Sequence, residues 1–110
     1  MICKPFEVVV VPFPFMERPV SKRRPALVLS RETFNREGRA ILAMITSQSH
    51  SPWPGDCPVE NVKEAGLASP SMVRLKLFTL DNKLMLRKIG RLAPADAHRV
   101  SGALKDHLTG

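Results

Sequence analysis

Glu7 to Phe15 reads EVVVVPFPF, and the first half of that stretch decides what kind of fold the chain adopts. Val8 to Val11 is apolar at every position rather than at alternate ones, and all four residues are β-branched. Such side chains favour extended backbone. A strand that is apolar on both faces must be covered on both. Pro12 has no amide hydrogen, so the strand is expected to stop there or to reach a sheet edge. Working outward, Ala26 to Leu29 is a second apolar run and Ala40 to Ile45 a third, with a turn signal between them at Asn35 to Gly38. Three short runs of this kind suit a small closed barrel or a covered sheet better than an open one.

Beyond the third run the character of the chain changes. Ser47 to Pro70 holds four Pro, two Gly and scattered Ser, and a loop that long in a compact domain is usually functional or disordered. Within it, Asn61 to Ala65 is expected to make one helical turn capped by Gly66 in the left-handed conformation. Ser71 to Leu80 alternates, with Val73, Leu75 and Leu77 on one side and Arg74, Lys76 and Phe78 on the other. Asp81 to Lys83 turns the chain, and Leu86 to Leu92 is the last strand. Pro94 then suits the first position of a helix, and Ala97, Val100, Leu104 and Leu108 form one apolar stripe along it. Ala93 offers that helix no side-chain cap. The expectation is a mostly β (α+β) single domain over residues 1–110: about five strands in a small, strongly curved barrel, with one C-terminal amphipathic helix.

The chain has 110 residues, 44% hydrophobic and 25% charged, the balance of an ordinary globular domain. Seventeen Lys and Arg against ten Asp and Glu leave a formal charge of +7. That excess favours a polyanionic partner, because each neutralised phosphate releases condensed counterions, although an acidic protein satisfies the same field. Two cysteines, Cys3 and Cys57, are too few for a disulfide framework and lack metal-ligand spacing. They read as free thiols in a reducing compartment. No run approaches the roughly 18 apolar residues of a membrane span, and no secretory signal is evident. The expected location is the cytoplasm, with no membrane partner.

Three runs, taken in order, resemble the MazF/PemK toxin family of type II toxin–antitoxin systems. The first is EVVVVPFPF (Glu7 to Phe15) with KRRPALVLS (Lys22 to Ser30); the second is AMITSQ (Ala43 to Gln48) with WPGD (Trp53 to Asp56); the third is AGLASPSMVRLKLFTLD (Ala65 to Asp81) with RKIGRL (Arg87 to Leu92). Together they span roughly residues 6–92. The resemblance implies an SH3-like barrel shared with the gyrase poison CcdB, a homodimer, an acidic antitoxin partner, and cleavage of single-stranded RNA with no metal or other cofactor.

Metal-free cleavage of RNA sends the ribose 2′-hydroxyl against the adjacent phosphorus, so the site must take a proton and stabilise charge on the phosphorane. Arg24 stands where the family carries an essential arginine, and its guanidinium matches a phosphate; otherwise it is one more cation of a basic loop. Thr46 matches the catalytic hydroxyl of the family, or else is a strand-end turn former. Arg74 matches an arginine that some members use in catalysis. Those members carry an acid two positions further on, whereas this chain has Lys76. Glu17 is a loose match to a functional glutamate, and His50 has a suitable intrinsic pKa; the general base is one of these or neither. Asp56 reads chiefly as the residue holding a turn. Arg18, Lys22, Arg23, Ser47 and Lys76 are candidate RNA contacts. Trp53 either stacks on a base or pins its loop to the barrel. Phe13 and Phe15 read as core or dimer contacts, and His98 and His107 carry no assigned role.

Two other functions share this fold class. A CcdB-like poison would bind a protein and need no pairing of Arg24 with Thr46. An inactive RNA-binding module would account for Lys76.

Overall fold

The structure, a computed structural model, describes residues 1–13, 22–48 and 51–110. Its strands are β1 (Glu7–Phe13), β2 (Lys22–Val28), β3 (Arg39–Ser47), β4 (Cys57–Pro58), β5 (Ser71–Asp81) and β6 (Arg87–Arg91). A four-residue helix α1 (Glu32–Asn35) lies between β2 and β3, and α2 (Pro94–His107) closes the chain. The strands form one antiparallel sheet in the order β4-β5-β3-β2-β1-β6. It is a half-barrel, mostly β with a C-terminal helix, as expected.

The doubly apolar runs are explained by burial on both faces of this sheet. Val9, Val11, Ala26, Val28, Ala40 and Leu42 join Leu80, Cys3 and Met85 in one core. Val8, Leu27, Ala43, Ile45 and Val73 face the other way, into a second core closed by Val59, Ala65, Leu92 and Val100 of α2. The sheet is therefore covered rather than sealed into a ring.

β1 runs through Pro12 to Phe13, but its pairing with β6 ends at Val10, so Pro12 does sit where one side of the strand is a sheet edge. α2 starts at Pro94 with no side-chain cap from Ala93. Ala97, Val100 and Leu104 pack on the second core, whereas Leu108 falls just past the helix and is 51% exposed, which shortens the expected stripe by one residue. Asp96 is buried instead, accepting the backbone N–H groups of Glu60 and Asn61 at 3.0 Å each and thereby tying the helix to the long loop.

That loop has more structure than its composition indicates. β4 pairs with β5 through Cys57 and Pro58. After Asn61, whose Oδ1 accepts the Glu64 N–H, the chain makes the expected turn. It closes as a Schellman cap, with Leu67 N–H donating to the Val62 carbonyl and Gly66 N–H to that of Lys63. Gly66 has φ +76°, and a Cβ there would lie 2.0 Å from the Ile89 carbonyl oxygen, so the turn is packed directly on β6. The expected Asn35–Gly38 turn is preceded by α1, whose buried Asn35 donates to the carbonyls of Cys3 and Ser30.

Candidate functional site

Alternation along β1, β2, β3 and β5 brings one set of side chains to a single face. Val11 pairs with Arg24, Ala26 with Met44, and Met44 with Arg74. Phe13, Arg24, Met44, Thr46 and Arg74 therefore share the face of the first core, beyond its end. Two local irregularities turn this end into a pocket. β2 pairs with β3 only from Ala26 onward, so Arg24 and Thr46, the next residues on that face, are not bridged by a ladder. Pro25 has no amide hydrogen to extend one. In β5, Leu75 and Lys76 are extra: Ala43 pairs with Leu77 but Met44 with Arg74. The bulge lifts Lys76 to the rim. The result is a pocket of ≈ 210 Å³ lined by Phe13, Arg24, Met44, Ile45, Thr46, Arg74 and Lys76.

Each cation is held differently. The Arg24 guanidinium lies 5.7 Å from the centroid of the Phe13 ring, a cation–π contact, and pairs with no carboxylate among the described residues. Phe13 thus lines the pocket instead of the core. Arg74 is clamped: its Nε donates to Asp56 Oδ1 at 3.1 Å and its Nη2 to Asp56 Oδ2 at 3.0 Å, with a further bond from Nη2 to the Ser51 carbonyl at 2.6 Å. Its charge also lies 5.3 Å from the Trp53 ring centroid. The bond to Asp56 raises the Arg74 pKa further above an already high value. Lys76 is exposed at the rim.

Asp56 is the residue the sequence reading undervalued. It does hold the expected turn, accepting the Trp53 N–H at 2.9 Å. It also supplies Arg74 with the carboxylate that Lys76 does not. The juxtaposition comes from β4, where Cys57 pairs with Val73 and so sets Asp56 beside Arg74. Gly55 makes that approach possible: at φ +82° it lies against Leu75 and His107, and a Cβ would come within 2.6 Å of Leu75 Cδ1. His107, distant in sequence, is thus a neighbour of this loop.

The other expected site residues are dispersed. Lys22 is exposed and pairs with Phe13 at the end of β2. Arg23 points to the opposite face, bordering a groove with Pro25, Leu67 and Arg87. Ser47 is exposed at the end of β3, one residue out of phase with Thr46. Trp53 is 41% exposed and carries Arg74 on its ring, so it both braces its loop and presents aromatic surface. Glu17, Arg18, Phe15 and His50 lie outside the described residues. Among the described residues, the pocket walls hold no imidazole or carboxylate, and no three His, Cys, Asp or Glu side chains group as metal ligands. No helix among them is long and apolar enough to cross a membrane.

A search of curated proteins by sequence finds no significant match. Solved structures share the fold. The MazF of a MazE–MazF complex from Deinococcus radiodurans superposes with a TM-score of 0.77 at 20% identity, over 98% of this chain and 97% of that one. The Mycobacterium tuberculosis toxin MazF-mt6 gives 0.73 at 22% identity, over 91% and 93% of the two chains. An endoribonuclease in complex with its cognate antitoxin, from a mycobacterial species, gives 0.73 at 15% identity, over 96% and 91%. Residues 4–108 match the family described as the PemK-like, MazF-like toxin of type II toxin–antitoxin systems, and the match spans all the described pocket residues and both cores but for Cys3. The chain belongs to the PemK-like, MazF-like toxin family.

Proposed function

We propose that this toxin is an endoribonuclease that cleaves single-stranded RNA in the pocket between β2, β3 and β5 without a metal ion. The observation that carries the reading is the convergence of Arg24, Thr46, Arg74 and Lys76 on one pocket from three strands. In the reaction the 2′-oxygen bonds to phosphorus and the bond from phosphorus to the 5′-oxygen breaks. The proton lost by the 2′-hydroxyl is balanced by the one the departing 5′-oxygen gains, leaving a 2′,3′-cyclic phosphate and a 5′-hydroxyl. Arg24, paired with no carboxylate among the described residues, stabilises charge on the phosphorane oxygens. The Thr46 hydroxyl and Arg74 donate to non-bridging oxygens, and Lys76 attracts the backbone at the rim.

The candidate proton carriers are Glu17 and His50, with neither as the remaining alternative. Residues 14–21 join Phe13 to Lys22 and bear Glu17 and Arg18; residues 49–50 join Gln48 to Ser51 and bear His50. Lys22, Arg18, Ser47 and Trp53 extend the contact to flanking nucleotides, whereas Arg23, on the opposite face, adds only to the general positive field. An acidic antitoxin segment and a second copy of the chain are the partners this function implies in the cytoplasm; gel filtration of the protein alone checks the second copy, and co-expression with a candidate acidic antitoxin checks the first.

Incubating the purified protein with varied single-stranded RNAs in EDTA tests the function. Cleavage to 2′,3′-cyclic phosphate ends is expected. Cleavage abolished by EDTA, or intact RNA throughout, contradicts it.

A further inference from the structure

Arg74 has five N–H bonds, and three of them are committed. Nε and Nη2 face the two oxygens of Asp56, and the second Nη2 hydrogen goes to the Ser51 carbonyl. A guanidinium fork matched to a carboxylate in this way is fixed in both position and rotation. The Trp53 ring limits motion out of its plane. Among the described residues, what remains unbonded is the Nη1 edge, with two hydrogens, and Arg74 is one of the pocket walls. The pair is also shielded: the side chains of Arg74 and Asp56 are 13% and 15% exposed, unlike the surface pair of Arg39 with Asp81 at 66% and 39%. An ion pair so placed is screened less by solvent than a surface one.

We infer that Asp56 is a positioning residue, which acts on the substrate only through Arg74 by fixing its guanidinium so that the Nη1 edge meets a phosphate oxygen. This rests on the proposed RNA-cleaving function but assigns a part to a residue outside the pocket. The clamp also neutralises one of the three pocket cations. Arg24 and Lys76 then supply the net positive charge, and Arg74 supplies direction. A free arginine at that place would spread over many rotamers and lose orientation rather than attraction.

Asp56 also holds the turn through the Trp53 N–H, so simple loss of activity on its substitution would not distinguish positioning from loop integrity. A double-mutant cycle does. Asp56→Asn keeps the shape and an acceptor for Trp53, but cannot accept at both oxygens. With Arg74 present, it is expected to slow single-turnover cleavage by about 10–100-fold, the scale of a misplaced catalytic group. With Arg74→Ala as background, the same change is expected to slow cleavage by less than about twofold. Should Asp56→Asn fail to fold, Asp56→Ser carries the cycle, since a hydroxyl still caps the turn.

Equal slowing in both backgrounds overturns the inference and makes Asp56 a loop residue, leaving the function intact. A wild-type rate for Asp56→Asn overturns it as well. If the wild type cleaves no RNA, the proposed function falls, and the cycle is read instead on affinity for an uncleavable all-2′-deoxy oligonucleotide. There the expected pattern is again an effect of Asp56→Asn only while Arg74 is present, and additive losses would overturn the inference.

Discussion

At the scale of single residues, buried or half-buried carboxylates hold basic side chains in several places, among them Asp56 with Arg74, Glu7 with Lys88 and Asp96 with Arg99. Asp56 orients Arg74 at the pocket. Glu7, buried at the start of β1, accepts the Lys4 N–H at 2.7 Å and the Lys88 ammonium at 2.9 Å. Burial pushes the Glu7 pKa up, but those two hydrogen bonds, with the charges of Lys88 and Arg91, outweigh it, and the net shift is downward. A carboxyl whose folded pKa is depressed contributes stability above its unfolded pKa, and that contribution is lost as pH falls through the folded value. Glu7→Gln is therefore expected to cost about 1–3 kcal/mol at neutral pH. The gap between the two proteins should narrow as pH falls below the unfolded carboxyl's value of about 4.3 and on through the lower folded one. Urea titrations at pH 7 and pH 3 check this; a gap that widens in acid would reverse the sign of the argument. The Asp56 pairing was not legible because its partner is 18 positions away and only the register of β4 on β5 brings the two together. Arg24, Thr46 and Arg74 were singled out by the family resemblance; that they share one face follows from the register of β2, β3 and β5. The position of Arg23 on the opposite face follows from the period of two, once β2 is known to begin at Lys22.

At the scale of elements, what could be read were the segments whose burial repeats. The runs in β1, β2 and β3 stood out because the sheet is covered on both faces, so no polar residue interrupts them. The pairs Phe78–Leu80 and Val73–Ile45 show why alternation in β5 fixed which residues share a face without saying which face is buried. Phe78 packs on the first core and Val73 is in the second, while Leu77 is left 37% exposed. α1 and β4 were missed for one reason: with four and two residues they hold only about one period each, so no repeat can show. Gly66 was legible as a left-handed cap, but not its closeness to Ile89. That closeness makes the site strict. Gly66→Ala must place a side chain at φ +76° and against a backbone oxygen 2.0 Å away, which nothing but a shift of the turn or β6 relieves. The expected loss is at least about 1–3 kcal/mol, with a fall of several degrees in Tm by calorimetry. An unchanged Tm would mean that the turn is not docked on β6.

At the scale of the whole molecule, the charge of +7 and the pocket do different work. A field of that sign attracts polyanions such as RNA to much of a surface, and binding of that kind falls with salt. Binding therefore does not locate the chemistry. The account places it where β2 and β3 separate, at Arg24, because a charge not paired with a carboxylate among the described residues can answer charge that develops only in the transition state. Lys76, exposed at the rim, belongs to the field. Single-turnover cleavage at saturating enzyme removes the binding contribution and compares Arg24→Ala with Lys76→Ala directly. The account predicts a loss of about 10²–10³ in rate for Arg24→Ala, with Lys76→Ala near the wild type at saturation and altered in salt-dependent affinity. A near-normal rate for Arg24→Ala beside a slow Lys76→Ala would contradict it and move the chemistry onto the bulge of β5.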